Sequence, residues 1–367
     1  MNLSPKKILV VVGTRPNFIK VTQFKKVALQ HNYDLKIVHT GQHFDDKMAH
    51  VFFKQFKLTP DYFLDTTPGL GRDELISEIT MKIEKLINNT FKPDLMVVVG
   101  DVNSTLAGAN AAKNCGIKLA HLESGLRSYD ESMPEELNRI LTDKISDYFF
   151  VTEQSGYDNL IGDGHTKNNI FFVGNTMIDT MVAFGKDIEA SFILDDLKLS
   201  EKQFVLITMH RPATVDNKEG LLKLLDILVE VNKKYKIVFP VHPRTTKNIE
   251  ALGLKKQFEA IEGLIFTEPL DYFAFQKLIK YSKFILTDSG GIQEESTFLK
   301  VPCFTLRPNT ERPVTCTLGT NTLVPFDVKT VLGYIGQVEA GTYKAGQIPP
   351  LWDGKATERV FEALNTL

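Results

Sequence analysis

The sequence predicts an α/β protein built as two doubly wound domains in tandem. Three observations lead there: short runs that are apolar on both faces, helix-length amphipathic stretches between them, and a second start of the same alternation near residue 200. Runs apolar on both faces suit the strands of a parallel sheet that helices cover on both sides. Strand and helix taken in turn then wind into a Rossmann-like sheet.

Taken in chain order, residues 8–12 (ILVVV), 35–38, 95–99 (LMVVV), 117–122 and 148–151 read as strands, with helical periodicity over 74–88 and 104–113. The pattern restarts at 204–208 (FVLIT). It continues with the amphipathic helix 218–233, strands at 237–241 and 284–286, and a helix at 291–299. At 367 residues the chain exceeds what one compact core usually holds. The expected division is 1–180 and 181–345, with 346–367 as a C-terminal segment whose helix packs back on the first domain. Ligands of such sheets bind at the carboxyl ends of the strands. The expected site is therefore a cleft faced by both domains.

Composition narrows the function. Forty-three basic and 45 acidic residues leave a net charge of -2, which argues against a nucleic-acid binder. Cys115, Cys303 and Cys316 show no metal-ligand spacing, and an odd count makes a poor disulfide framework. No apolar run approaches the roughly 20 residues of a membrane helix. The N-terminus lacks a secretory pattern, so the cytosol is the expected compartment.

The polar motifs fall at strand ends. Gly13-Thr14-Arg15-Pro16 with Lys20 suits an anion at a helix start, or a plain turn with proline in the first helical position. It is no dinucleotide fingerprint, because no G-x-G-x-x-G follows. Asp101 follows the strand 95–99 as a cleft carboxylate or a helix N-cap. Glu123 ends the next strand, and Pro134 sets Glu135 and Glu136 in the first turn of a helix. For Glu136 a solvated helix end is the preferred reading. Asp101, Glu123 and Glu135 converging on one cleft suggest acid–base work. No histidine- or cysteine-rich set accompanies them, so no metal is expected. In the second domain His210-Arg211 and His242-Pro243-Arg244 end strands. Thr287-Asp288-Ser289-Gly290-Gly291 runs from a strand into a helix whose N–H groups can cradle phosphate. Glu295 lies one turn in, placed to accept from ribose hydroxyls.

Read together, GTRPNFIK, HTGQHFD, GDVNSTLA, HLESGLRS, MPEELNRILTD, VGNTMID, TMHRPATVDN, VHPRT, PLDYFAF, TDSGGIQEES and TERPVT resemble the non-hydrolysing UDP-N-acetylglucosamine 2-epimerase family. They occur in order from residue 13 to about 315. The resemblance implies a glycosyltransferase-B-like fold and interconversion of UDP-GlcNAc and UDP-ManNAc by loss and re-addition of UDP. It implies no nicotinamide or other cofactor and no membrane partner, and it admits a homodimer. It also implies site residues. Asp101, Glu123, Glu135 and His210 match the catalytic positions. Arg15, Lys20, Phe275, Ser289, Gly290, Gly291, Glu295 and Arg312 match the substrate-binding ones, with Phe275 beside the uracil and Arg312 on the diphosphate.

The chain departs from the common pattern at Asn17, where GTRPE is usual, and at Ser124, where E-A-G is usual. Its VHPRT differs from the form in members regulated by a second UDP-GlcNAc. A sibling group acting on UDP-2,3-diacetamido uronic acids often begins G-A-R-P, and Thr14 tilts the reading towards UDP-GlcNAc. A UDP-sugar glycosyltransferase would share the second-domain motifs without needing the three carboxylates, and a non-catalytic sensor would lack them.

Overall fold

The computed structural model describes residues 5–42 and 52–367; His43, Phe44 and Asp45 of the HTGQHFD stretch lie outside the described residues. The chain divides into two compact units, Met1–Ala183 with Pro350–Leu367, and Phe184–Pro349.

The first unit is wound on a seven-stranded sheet of order β3-β2-β1-β4-β5-β6-β7. Its strands are β1 (Lys6–Val12), β2 (Tyr33–His39), β3 (Tyr62–Phe63), β4 (Leu95–Val99), β5 (Lys118–Leu122), β6 (Tyr148–Val151) and β7 (Ile170–Phe172). Every pairing is parallel, and Val11 stands between Val38 and Val98 at the centre. Leu9, Val11 and Val98 share a core with Ile79 and Ile83 of the helix Arg72–Asn89 and Ala107 and Ala111 of the helix Asn103–Asn114. The alanines bring that second helix close to the sheet.

The second unit repeats the winding with six parallel strands in the order β10-β9-β8-β11-β12-β13. They are β8 (Phe204–Thr208), β9 (Lys236–Pro240), β10 (Leu264–Thr267), β11 (Ile285–Thr287), β12 (Cys303–Thr305) and β13 (Asn321–Leu323). Val205 and Ile207 enter one core and Phe204 and Leu206 the other, so β8 is covered on both faces as its unbroken apolar run requires. Both units are thus Rossmann-like. No helix among the described residues is long and apolar enough to cross a membrane.

The chain end belongs to the first unit. Asp179 accepts from the backbone N–H groups of Ala356 (3.0 Å) and Thr357 (2.5 Å), capping the last helix, Ala356–Leu364. Trp352 donates its indole N–H to Thr152 O at 3.0 Å. Phe361 is fully buried, with its ring 5.7 Å from that of Phe24 and 5.6 Å from that of Tyr33.

Two stability measurements test this packing. Phe361→Ala should destabilise the first unit by about 3–5 kcal/mol, the usual loss for a buried phenylalanine. Urea unfolding followed by the single tryptophan, Trp352, reads it, and a loss below about 1 kcal/mol would contradict the packing described. His39 supplies a pH test. Burial pushes its imidazole down to about 4, while the unfolded chain takes the proton near the ordinary ~6.5. Its contribution is therefore intact above about pH 6.5 and is lost as pH falls towards 4, by up to about 1.4 kcal/mol per pH unit. His39→Asn keeps an acceptor for Gly41 N but no titrating group, so its stability should fall less between pH 7 and pH 5 than that of the parent. Equal falls in both proteins would exclude His39 as the cause.

Candidate active site

Strand order reverses beside the first strand of each sheet, between β1 and β4 and between β8 and β11. Doubly wound sheets bind ligands outside the carboxyl ends at that point. In the first unit the loop after β1 begins at Gly13, where a Cβ would fall 2.0 Å from Ser104 Oγ and 2.9 Å from Thr40 Oγ1, so glycine is required. Thr14 Oγ1 donates to Asn17 Oδ1 at 2.9 Å, and Asn17 Nδ2 donates to Val99 O at 3.1 Å, tying this loop to the end of β4. Lys20 follows with its ammonium in a buried ion pair with Glu123 Oε2. Gly100, at φ +65°, packs on that pair: its missing Cβ would lie 3.5 Å from Glu123 Oε2 and 3.6 Å from Lys20 Nζ. Glu123 itself has φ +70°, a strained conformation for a non-glycine residue that costs about 1–3 kcal/mol and tends to occur at functional sites. The Arg15 guanidinium lies 5.0 Å from the ring centre of Phe52.

The helix Pro134–Ile145 is polar inside and apolar outside. It buries Glu136, Asn138, Arg139, Thr142 and Asp143 and exposes Leu137, Ile140 and Leu141. Arg139 donates from Nε (3.0 Å) and Nη2 (2.7 Å) to Asp101 Oδ2, and its Nη1 pairs with Glu136. Asn138 Nδ2 donates to Asp101 O at 2.9 Å. Glu136 accepts from Ser128 N and Ser128 Oγ, both at 2.9 Å, and from Tyr129 N at 3.0 Å. The expected solvated Glu136 is therefore wrong: it is 1% exposed and holds the 128–129 turn, while Glu135 is the exposed member of the pair. Deeper in, His121 Nδ1 lies 2.6 Å from Asp143 Oδ1 and His121 Nε2 lies 2.7 Å from Gly100 O. Burial by itself would raise the Asp143 carboxyl, but His121 and Arg127 hold it below the usual carboxylate range.

In the second unit Asp288, fully buried at the end of β11, organises the loop after β8. It accepts from His210 N at 3.0 Å and Arg211 N at 2.8 Å, and His210 Nδ1 lies 2.9 Å from it. Burial alone would raise this carboxyl, but His210 and the two backbone N–H groups bring it below its ordinary value. Ser289 is the N-cap residue of the helix Gly290–Phe298. A Cβ on Gly290 would lie 2.5 Å from Glu311 Oε1 and 3.5 Å from Arg312 Nη1, which sets Arg312 beside the helix start. Arg312 is buried and pairs with Glu294 (2.8 Å) and Glu311 (2.6 Å). Arg307 joins Glu311 at 3.3 Å. Gln276 donates to Glu295 Oε1 at 2.6 Å, and the neighbouring Phe275 is half-buried on the helix Tyr272–Tyr281.

The first unit thus joins Lys20 to Glu123 beside the Gly100–Asp101 turn, and the second gathers His210, Ser289, Gly290 and Arg312 around the start of one helix. Arg139, Asp143, Asp288, Glu294, Arg307 and Glu311 have no role in the sequence reading. Arg139 had a usable signal, its i+3 spacing from Glu136 on a helix. Among the described residues no cluster of three or more His, Cys, Asp or Glu is arranged to hold a metal ion.

Comparison with known proteins gives the following. Residues 25–365 match the family model described as UDP-N-acetylglucosamine 2-epimerase. A UDP-N-acetylglucosamine 2-epimerase homolog of Methanococcus maripaludis is 40% identical, over 98% of this chain and 100% of its own. The UDP-2,3-diacetamido-2,3-dideoxy-D-glucuronate 2-epimerase of Pseudomonas aeruginosa is 38% identical, over 98% of this chain and 100% of its own. The crystal structure of the Methanocaldococcus jannaschii UDP-GlcNAc 2-epimerase with UDP-GlcNAc and UDP superposes with a TM-score of 0.88 at 37% identity, over 98% of this chain and 100% of that one.

Proposed function

Since the chain belongs to the UDP-N-acetylglucosamine 2-epimerase family, we propose that it interconverts UDP-GlcNAc and UDP-ManNAc by eliminating and re-adding UDP. The observation that carries this reading is the pair of carboxylates at the first switch point, each with its own cation: Glu123 with Lys20 and Asp101 with Arg139. The C2 proton of the sugar is weakly acidic, so its removal must accompany cleavage of the C1–O bond to UDP. A base takes the proton from one face, leaving a 2-acetamidoglucal. UDP oxygen then re-attacks C1 while an acid returns a proton to the other face of C2. Two separately anchored acid–base groups answer that demand, and each typically contributes about 10²–10⁴-fold.

The second unit holds the UDP portion in this reading. N–H groups at the start of the helix Gly290–Phe298 and the arginines around it suit a diphosphate. Cations there also stabilise the charge that collects on departing UDP. Glu295 takes the ribose hydroxyls and Phe275 the uracil face. The exposed Leu137, Ile140 and Leu141, one apolar face of a helix, support a homodimer that covers them. A UDP-sugar substrate supports a cytosolic enzyme.

A second reading is favoured by the Pseudomonas relative: C2 epimerisation of a UDP-2,3-diacetamido uronic acid. Offering both UDP-sugars to the purified protein and comparing kcat/KM separates the two.

Proton NMR of the reaction in deuterium oxide, with EDTA present and no added nicotinamide, should show product deuterated at C2. Product without C2 deuterium would sink the mechanism. Asp101→Asn and Glu123→Gln should each lower turnover by about 10²–10⁴-fold. Their UDP affinity should change far less. A variant that stays folded, binds UDP and turns over at the parental rate removes that residue from the mechanism. Glu295→Ala should weaken UDP binding by about 1–3 kcal/mol, from polar partners left unpaired. Unchanged affinity in calorimetry would refute the ribose assignment.

A further inference from the structure

His121 and Asp143 have no part in the proton transfers above, yet they touch the backbone on both sides of the groups that do. Both are fully buried in the first unit, at 0% and 1% exposure, so neither reaches a substrate. His121 is the fourth residue of β5, flanked by Ala120 and Leu122 in the core. An apolar side chain would suffice there for folding, because a buried imidazole gains nothing unless its nitrogens are matched. Both are matched. Gly100 O accepts from Nε2 at 2.7 Å, and the anionic Asp143 faces Nδ1 at 2.6 Å. The other oxygen of Asp143 accepts from Gly125 N at 3.1 Å and pairs with Arg127 at 2.7 Å.

These contacts fall where the backbone turns left-handed. Gly100 (φ +65°) immediately precedes Asp101, and Gly125 (φ +76°) lies two residues beyond Glu123 (φ +70°). Ladder bonds continue to Gly100 N, donated to Leu122 O at 3.0 Å, and to Glu123 N and Ser124 N, both donated to Phe150 O, at 3.0 and 3.2 Å. Beyond those atoms, the carbonyl of Gly100 and the N–H of Gly125 are held by His121 and Asp143. The geometry points to His121 and Asp143 as a positioning pair that fixes, through Gly100 and Gly125, the backbone carrying Asp101 and Glu123. This rests on the epimerase reading. It assigns the pair no proton transfer, only the placement of the two carboxylates.

Two amide substitutions divide the pair's contacts. His121→Gln sets an N–H donor where Nε2 stood and keeps the bond to Gly100 O. His121→Asn sets one where Nδ1 stood and keeps Asp143 but releases Gly100. Turnover is measured per UDP-binding site counted by calorimetry, so unfolded protein does not enter. His121→Asn should lower kcat by about 10²-fold, the usual penalty for displacing a reacting group by about an ångström. KM and UDP affinity should stay within about threefold of the parent, the scale expected when binding contacts are untouched. With C2-deuterated substrate its isotope effect should rise as proton transfer becomes limiting. His121→Gln should recover most of the lost rate, and Asp143→Asn should behave like His121→Asn.

The proposal is overturned if His121→Asn and Asp143→Asn fold, bind UDP and retain parental kcat. It is equally overturned if both lose the cooperative unfolding reported by Trp352, since the pair then serves the fold alone. If the parent is inactive on both UDP-sugars, the epimerase reading fails by itself. The positioning can still be read from amide hydrogen exchange at Gly125, which should accelerate in Asp143→Asn.

Discussion

A charge taken out of water must meet its opposite, or the fold loses several kcal/mol for each one stranded. That requirement governs the first unit, because the helix Pro134–Ile145 turns its charged side inward. Glu136, Arg139 and Asp143 repeat at i, i+3 and i+7, which places them on one face. Apart from the Arg139–Glu136 pair within the helix, their partners lie on other segments: Asp101 after β4, the Ser128–Tyr129 turn, and His121 with Gly125 at the end of β5. Matching the charges of one helix therefore sets the positions of the two carboxylate-bearing loops. The same constraint operates in the second unit, where buried Asp288 binds the loop after β8 and two carboxylates flank Arg312.

These pairs are hard to explain as stabilising devices. Apolar groups of equal volume commonly hold a core as well as a buried ion pair does. Their placement is what distinguishes them, since in both units they gather where strand order reverses. At each reversal one loop also reaches across to the other: Asn17 donates to Val99 O in the first unit, and His210 and Arg211 donate to Asp288 in the second. The winding opens the gap, and hydrogen bonds across it hold the loops at a fixed separation. The two gaps are furnished differently. The first carries carboxylates, each already bound to a cation. The second carries a helix N-terminus, whose free N–H groups suit an anion, with Arg312 beside it held between Glu294 and Glu311.

Sequence pattern reveals the central strands because they are buried on both faces over four or five consecutive residues. It does not reveal β3, β7, β12 or β13, whose two or three residues are too few to display a period, nor β10, whose LIFT is only half-buried. The strand-end motifs are legible for a related reason: a glycine or carboxylate directly after an apolar run stands at the carboxyl edge. What sequence misplaces is the phase of the helix Pro134–Ile145. The ordinary expectation turns Leu137, Ile140 and Leu141 to the core and Glu136 to water. Charge matching reverses it, and the clue in the sequence is His121. A histidine in the middle of a core strand needs acceptors, and an acidic helix nearby is where to look for them.

Residues 136, 138, 139 and 143 act on the site through one rigid element, so they should not be treated as independent contributors. Removing one partner from a matched set leaves the others stranded, and the energies of such neighbours do not add. A helix also holds positions more closely than a loop does, which suits chemistry in which a small displacement of an acid or base is costly. The strain at Glu123 belongs to the same account. A glutamate at φ +70° persists only where its surroundings over-determine it. Here they do so from four directions: Lys20 on its carboxylate, Phe150 O on its N–H, Gly100 packed against it, and Asp143 on the N–H of Gly125. The backbone conformation that aims Glu123 is therefore maintained by charges that lie behind it.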